Sequence, residues 1–177
     1  MLNVPADDEW TLETERLLLA PMTESDAAEL HELRILDSDA PADDGPDVSL
    51  PRVRARIRRW ERRRSPDGAE VWLNWTLRLK DDQTAVGRMQ ATVTEQWADM
   101  AWLVGRRFRK QGYATEAAQR IAAWLLEFFN PREVRATIHP ENTASQRVAA
   151  NVGMRRTGER TSEGDEVWTL RLQARRP

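Results

Sequence analysis

The sequence is poor in the side chains that most often carry metal and redox chemistry. Its 177 residues include no cysteine, two histidines and one tyrosine. The absence of cysteine excludes disulfides, thiol nucleophiles, thiolate zinc sites and iron–sulfur clusters. The two histidines, His31 and His139, are too few for a multi-histidine metal site. A chain of this length is typical of one domain of roughly 100–200 residues, which can fold without disulfides or metals.

Long apolar runs are also missing. No stretch approaches the ~20 apolar residues that a membrane helix needs. The first ten residues, MLNVPADDEW, are acidic where a secretory signal would be basic. We therefore expect a soluble, cytoplasmic protein without a membrane partner.

Acidic and basic residues are unevenly distributed along the chain, although the formal net charge is only −2. Residues 1–50 contain fourteen acidic and two basic side chains, whereas residues 52–64 alone contain eight arginines. The arginines could bind RNA, or they could form a solvated helix that pairs with the acidic N-terminal residues. No aromatic stacking pattern accompanies them, so the second interpretation is favoured and a nucleic-acid partner is disfavoured.

The spacing of apolar residues predicts a mixed domain. Residues 1–13 are interpreted as a loose acidic lead-in, and residues 38–51, rich in Asp, Pro and Gly, as a loop that could gate a site. Alternating apolar residues over 71–79 and two further stretches, 85–93 and 100–104, predict an antiparallel meander. The other predicted elements are a strand at 16–20, helices ending near 37 and covering 52–64, a long helix from about 114 to 129, a strand at 134–138, a short helix at 142–153 and a hairpin at 154–172.

The segment 109–114, between a predicted strand and the long helix, has the clearest chemical meaning. A helix start presents free backbone N–H groups and the positive end of the helix dipole, and Gly112 leaves room for an anion. The turn is surrounded by the cations Arg106, Arg107, Arg109 and Lys110. This pattern favours a pyrophosphate cradle, without the further residues of a P-loop or of a Rossmann fingerprint. The alternative is an ordinary strand-to-helix turn with solvated arginines.

A second segment, running from His139 to Met154 after the next predicted strand, supplies the context. With both segments in order, the chain resembles the GCN5-related N-acetyltransferases (GNAT). Their phosphate loop, Gln/Arg-x-x-Gly-x-Gly/Ala, is matched by Arg109, Gly112 and Ala114. Three stretches are similar to the RimJ/RimL-like branch, which acetylates ribosomal-protein N-termini: Gly112-Tyr-Ala-Thr-Glu-Ala117, Asn142-x-x-Ser145 and Thr14-Glu-Arg-Leu-Leu-Leu19.

The resemblance implies an α/β (α+β) fold, with a mixed, mostly antiparallel sheet of about seven strands and about four helices, in a single acyltransferase domain at 14–177. It implies acetyl-CoA as cosubstrate and no metal. Its phosphates would be held by Arg109, Lys110, Gln111, Gly112, Tyr113, Ala114 and Thr115. The backbone of Leu103 and Val104 would pair with the pantetheine arm, and Asn142 would contact that arm, cap a helix, or do both.

Two positions depart from the family pattern. Lys110 stands where the branch often has glycine, so the loop is less flexible but more cationic. The tyrosine usual seven residues after the asparagine is replaced by Ala149. Ser145 is therefore the candidate that hydrogen-bonds the leaving thiolate, whose free pKa of about 8.5 demands only a weak acid. The alternative is that Ser145 simply occupies the first turn of a helix capped by Asn142.

The base that takes the proton of the amine is open between several carboxylates. These are Glu95 and Asp99 near the start of the cofactor strand, and Glu163, Asp165 and Glu166 on the last hairpin. His139 precedes a proline at a strand end, where a histidine is more often structural. We favour Glu166, with Glu95 second.

The resemblance implies direct acetyl transfer to a primary amine in a ternary complex, and the missing cysteine disfavours a covalent acyl-enzyme. The branch points to the N-terminal α-amine of a protein as acceptor. An aminoglycoside or polyamine, which the acidic loop could attract, is an alternative within the same chemistry. A non-catalytic coenzyme-A- or RNA-binding module is the alternative from another class. A homodimer is left open.

Overall fold

The computed structural model describes residues 2–35 and 49–171. The strands in these ranges are β1 (Leu12–Glu13), β2 (Leu17–Pro21), β3 (Val71–Leu79), β4 (Ala85–Val93), β5 (Trp97–Val104), β6 (Glu133–Ile138), β7 (Arg155–Arg160) and β8 (Glu166–Leu170). The helices are α1 (Ala27–Ile35), α2 (Leu50–Trp60), α3 (Tyr113–Phe128) and α4 (Thr143–Val152). The predicted class, a mostly antiparallel mixed sheet with four helices, is confirmed. Most of the predicted loop at 38–51, and the last residue of the predicted hairpin, lie outside the described residues.

The strands form one sheet in the order β1-β2-β3-β4-β5-β6-β8-β7. Every neighbouring pair is antiparallel except β5 and β6, which are parallel. A parallel pair needs a crossover connection, and α3 provides it. The β5–β6 pairing covers only Trp97–Asp99 against Glu133–Arg135. Beyond Asp99, β5 pairs with β4 on one edge alone, so the sheet opens into a gap between β5 and β6.

Two apolar clusters hold the helices against the sheet. The larger contains the buried side chains of β3, β4 and β5 together with Ile121 and Leu125 of α3 and Ala149 of α4. The smaller lies under α1 and α2 and includes Val53 and Ile57, the face predicted for α2. Across the described ranges, no helix combines the length and apolarity required to traverse a bilayer.

Residues 2–13 pack on the domain instead of forming a loose lead-in. Trp10 is buried, and its ring meets that of Trp75 edge to face at 5.2 Å. The Trp10 carbonyl accepts a hydrogen bond from Trp75 Nε1 at 2.8 Å, and Arg64 donates to the Leu2 carbonyl at 2.8 Å. The segment is acidic in composition, but it contains one large aromatic side chain, Trp10. Burial of this side chain holds the segment on the domain.

The arginines of the 52–64 segment make contacts with acidic residues of the first fifty. Arg58 pairs with Glu24 at 3.0 Å, and Arg63 pairs with Asp7. Both contacts agree with the interpretation of a charged helix that faces the acidic N-terminal region. Exposed pairs of this kind stabilise a protein by about 0–1 kcal/mol each, so they orient the helix more than they hold it.

Candidate active site

The turn between β5 and α3 presents backbone donors at one place. Gly112 is the N-cap residue of α3 and has φ of 86°, a conformation that residues with a side chain rarely adopt. The first hydrogen bond inside α3 runs from the Glu116 N–H to the Gly112 carbonyl at 3.0 Å. The N–H groups of Tyr113, Ala114 and Thr115 therefore precede the helical ladder. Together with the positive end of the α3 dipole, they suit phosphate oxygens.

Lys110 also lies in the left-handed region, with φ of 61°. A residue with a Cβ pays roughly 1 kcal/mol or more for this conformation. The structure thus gives a physical reason for the glycine that the RimJ/RimL-like branch often has here. In this chain the loop gains a cation beside the cradle at the cost of a strained backbone.

Lys110→Gly is therefore expected to leave the free energy of unfolding within about 0.5 kcal/mol of the wild type, since relief of strain offsets the added freedom of the unfolded chain. The affinity for coenzyme A should fall about three- to fivefold because one cation is lost. Calorimetric titration and thermal unfolding measure the two effects. Lys110→Ala is the matched variant: it should weaken binding equally while keeping the strain. An unchanged affinity in both variants would remove Lys110 from the phosphate site.

A hydrogen-bond network joins the residues just before β2 to α3 and to the loop that precedes α3. Arg16 Nε donates to Glu116 Oε2 at 2.8 Å, and Arg16 Nη1 donates to the Gln111 carbonyl at 3.0 Å. The same guanidinium lies 4.6 Å from the centre of the Tyr113 ring. Thr14 Oγ1 donates to Glu116 Oε1 at 2.5 Å, and so does the Arg16 N–H at 3.0 Å. No role was predicted for Thr14, Arg16 or Glu116, although both stretches belong to the segments that carry the family resemblance.

The network acts on the pKa of Glu116. Partial burial raises this pKa, but the hydrogen bonds from Thr14 and Arg16 and the charge of Arg16 outweigh burial and lower it below its usual value. Glu116 is therefore held in its ionised form and keeps Arg16 in place under the loop. Because Arg16 binds the Gln111 carbonyl, this carbonyl points toward Arg16 and not toward the N–H groups at the start of α3. Those N–H groups are then the ones that a ligand would meet.

Hydrogen bonds at both ends of the β4–β5 pair define which backbone groups face the gap. Thr94 N–H donates to the Trp97 carbonyl, and Gly105 N–H donates to the Val86 carbonyl, both at 2.9 Å. Because hydrogen-bonded pairs alternate along an antiparallel ladder, the Leu103 backbone points toward β4. The groups that point into the gap are those of Met100, Trp102 and Val104.

Gly87 of β4 supports this assignment, because a Cβ at that position would clash with the Leu103 carbonyl oxygen. Of the two backbone contacts expected for a pantetheine arm, the one at Val104 faces the gap, whereas the one at Leu103 is turned toward β4. The Val104 carbonyl accepts a hydrogen bond from Arg109 Nε at 3.3 Å. Arg109 thereby joins the end of β5 to the cradle.

Ser145 lies in the first turn of α4, the helix that follows β6, and so on the β6 side of the gap. Its backbone N–H donates to Asn142 Oδ1 at 3.0 Å, so Asn142 is the helix cap. Its hydroxyl oxygen accepts a hydrogen bond from Trp102 Nε1 at 3.3 Å. The cap uses the serine backbone and not the hydroxyl. The hydroxyl is thus connected to the cofactor strand and has no part in capping α4.

Glu166 begins β8 directly opposite Ile138, the last residue of β6. Its side chain is 7% exposed. Oε1 accepts hydrogen bonds from Arg156 Nη1 at 2.9 Å and Arg160 Nη2 at 3.5 Å. Oε2 is buried and has no partner among the described residues. Since buried polar atoms are nearly always paired, this oxygen is available to a water molecule or a ligand.

Glu95, Asp99 and His139 lie in other parts of the sheet and its turns. Glu95 is in the β4–β5 turn, before Trp97 and therefore at the end of β5 opposite the cradle. Trp97 is roughly 17 Å along the strand from Trp102. Asp99 is in the last residue pair that joins β5 to β6. Burial raises the pKa of Asp99, and the charge of Arg135 offsets this only in part. His139 Nδ1 accepts a backbone N–H two residues later at 3.3 Å, a structural contact in the turn.

Comparison with known proteins agrees with this geometry. The Acetyltransferase (GNAT) domain matches residues 16–155. YnaD, an uncharacterized N-acetyltransferase of Bacillus subtilis (strain 168), is 32% identical over 95 residues, which are 51% of this chain and 56% of YnaD. The chain thus matches about half the length of that relative.

Solved structures share the fold over nearly the whole chain. The RimL ribosomal L7/L12 alpha-N-protein acetyltransferase has a TM-score of 0.77 at 15% identity, covering 92% of this chain and 93% of its own. Mycobacterium smegmatis RimJ in complex with CoA-disulfide has a TM-score of 0.69 at 20% identity, covering 93% and 89%. Both neighbours share the fold of this chain. Since the family match spans well over half of the sequence, the chain belongs to the GNAT acetyltransferase family.

Proposed function

We propose that this protein transfers an acetyl group from acetyl-CoA to a primary amine, the α-amine at the N-terminus of a protein, by direct transfer in a ternary complex. The observation that carries the proposal is the gap between β5 and β6, which leads from the phosphate cradle of α3 to Ser145 of α4. The similarity to RimL, a protein α-N-acetyltransferase by its description, supports the choice of acceptor.

The residues present fit coenzyme A. Gly112 has a positive φ, and a Cβ at this position would lie 3.3 Å from Arg16 Nη2, so glycine suits the turn that begins α3. The N–H groups of Tyr113, Ala114 and Thr115 would hold phosphate oxygens, and the backbone groups of Trp102 and Val104 that face the gap would pair with an extended amide chain. When bound, acetyl-CoA supplies a thioester carbonyl that is activated toward amines. Among the described residues, no group of three His, Cys, Asp or Glu side chains could hold a metal ion.

Two side chains of this protein would move the protons. Glu166 Oε2, buried and without a partner, accepts the proton of the attacking amine, directly or through water. The Ser145 hydroxyl donates a hydrogen bond to the sulfur as it leaves. A protein amine must be neutral to attack, so the proton acceptor sets how the rate depends on pH. The thiolate is a good leaving group, so a serine hydroxyl is a sufficient donor.

The function is tested by measuring release of free thiol from acetyl-CoA with a panel of amines: peptides with free N-termini, the same peptides with blocked N-termini, a polyamine and an aminoglycoside. We expect turnover with the free peptides only. Turnover with the polyamine or aminoglycoside alone would replace the proposed acceptor. Calorimetric binding of coenzyme A with no turnover for any amine would favour a non-catalytic binding module.

Glu166→Gln is expected to lower kcat about 100-fold, because a general base typically contributes 10²–10⁴-fold. It should also abolish the limb of the pH–rate profile that reports the base. Glu159→Gln, an exposed carboxylate on the adjacent strand β7, is the matched control and should behave as the wild type. If the Glu166 variant keeps the wild-type pH profile, the base is another carboxylate, and Asp99 becomes the next to examine.

A further inference from the structure

The indole of Trp102 is placed where it controls the Ser145 hydroxyl. Trp102 lies on β5 opposite Met89 of β4, half-buried and packed against the main apolar cluster. Its backbone faces the gap, and its Nε1–H reaches Ser145 Oγ at 3.3 Å. The hydrogen bond therefore joins the strand on one side of the gap to the helix on the other.

The direction of this hydrogen bond is settled by chemistry. An indole Nε1–H can only donate, whereas a serine hydroxyl has one hydrogen to donate and two lone pairs to accept. Ser145 Oγ must therefore be the acceptor from Trp102. Within residues 2–35 and 49–171, no acceptor is found for the Ser145 hydroxyl hydrogen, and its backbone N–H is already bonded to Asn142.

We infer that Trp102 is a positioning residue that sets Ser145 as a hydrogen-bond donor toward the gap. This inference rests on the proposed function. With one lone pair taken by the indole, the hydroxyl can no longer turn that lone pair toward the sulfur, and its hydrogen is directed away from Trp102. Accepting one hydrogen bond also strengthens the next one donated along the chain. The indole thus contributes both the orientation of the donor and part of its strength.

The Trp102→Phe variant keeps an aromatic ring but removes the N–H together with the five-membered ring of the indole. Without the N–H, the Ser145 hydroxyl loses the hydrogen bond that fixes its rotation and is free to turn to other acceptors, including water. We expect kcat to fall about five- to tenfold, while the KM for acetyl-CoA and the calorimetric Kd of coenzyme A stay within about twofold. Trp72→Phe is the matched control, because Trp72 Nε1 on β3 also donates a hydrogen bond, to Glu70 at 2.8 Å, and β4 separates β3 from β5.

A double-mutant comparison separates positioning from general loosening of the fold. If Trp102 acts through Ser145, adding Trp102→Phe to Ser145→Ala should cause no further loss of kcat. A loss of the same size in both backgrounds would overturn the inference, and so would a Trp102→Phe variant with the kcat of the wild type.

A second measurement does not depend on turnover. The eight tryptophans give indole N–H signals in a ¹⁵N-correlated spectrum, and Trp102→Phe identifies the one that belongs to Trp102. We expect that signal to move upfield in Ser145→Ala more than any other indole signal. If it stays in place, the hydrogen bond is absent and the inference fails. Failure of the proposed function would appear differently, as a wild-type protein without transfer to any amine.

Discussion

Replacing Ser145 with alanine is expected to lower kcat by about 10- to 100-fold and to leave the Kd of coenzyme A within about twofold. The helix keeps its cap, because Asn142 Oδ1 binds the backbone N–H of residue 145 and not the side chain. What disappears is the hydroxyl that Trp102 orients toward the gap. Loss of a positioned proton donor affects the rate of transfer and not the ground-state binding of the phosphates. Steady-state kinetics and calorimetry on the same preparation measure the two quantities.

Thr143→Ala is the matched control for this prediction. Thr143 is exposed in the same first turn of α4, so its replacement also removes a hydroxyl from that turn without touching Trp102. It should keep the wild-type kcat. A Ser145→Ala protein with full turnover would leave Ser145 with a structural role alone, and another donor for the leaving thiolate would have to be found.

Glu116→Gln is expected to weaken coenzyme A binding about tenfold and to lower the free energy of unfolding by about 1–2 kcal/mol. The carboxylate receives hydrogen bonds from Thr14 and from the Arg16 side chain and backbone. Bonds to a charged group are worth about 1.5–3 kcal/mol when buried, and less here because the Arg16 side chain is 43% exposed. An Arg16 released from Glu116 no longer holds the Gln111 carbonyl, so the cradle loses its pre-formed shape.

The effect of Glu116 on stability should depend on pH with a definite sign. Its pKa is lowered in the folded protein, so its contribution is present above the unfolded-state pKa of about 4.5 and is lost as the pH falls through the folded-state pKa. The difference in stability between wild type and Glu116→Gln should therefore be largest near neutral pH and shrink below about pH 4.5. Denaturant unfolding over this range provides the measurement.

Glu127→Gln supplies the control on the same helix, since Glu127 is exposed near the C-terminal end of α3. Its stability and its affinity for coenzyme A should match those of the wild type at every pH tested. A Glu116→Gln protein with unchanged coenzyme A affinity would mean that the loop holds its shape without Arg16, and the network would then serve the fold alone.

Local patterns predicted most of the fold. The alternation from Val71 to Leu79 predicted which side of β3 is buried, and the helical spacing of Val53 and Ile57 predicted which face of α2 is buried. The structure confirms both predictions. The lead-in was predicted incorrectly as loose because composition averages over residues, whereas burial of Trp10 depends on one partner, Trp75, 65 positions away.

In the candidate site, too, local sequence patterns predicted some residues, and contacts between distant residues revealed others. Gly112 and Ser145 stand in motifs whose spacing along the chain is itself the signal, and the structure places them at the two ends of one gap. The roles of Arg16 and Trp102 had no such signal, because each depends on a contact with a residue far away in the sequence. Leu103 shows a related limit: whether a backbone group faces one neighbour or the other depends on strand register, which a one-residue shift reverses.

The sequence by itself determined the class of fold, excluded thiol chemistry and predicted a phosphate cradle, because missing cysteines and a glycine at a helix start are local properties. Only the tertiary structure decided that β5 and β6 part after Asp99, that Arg16 joins Glu116 to the Gln111 carbonyl, and that Trp102 contacts Ser145. These are relations between segments up to a hundred residues apart, and they are set by the packing of the whole domain.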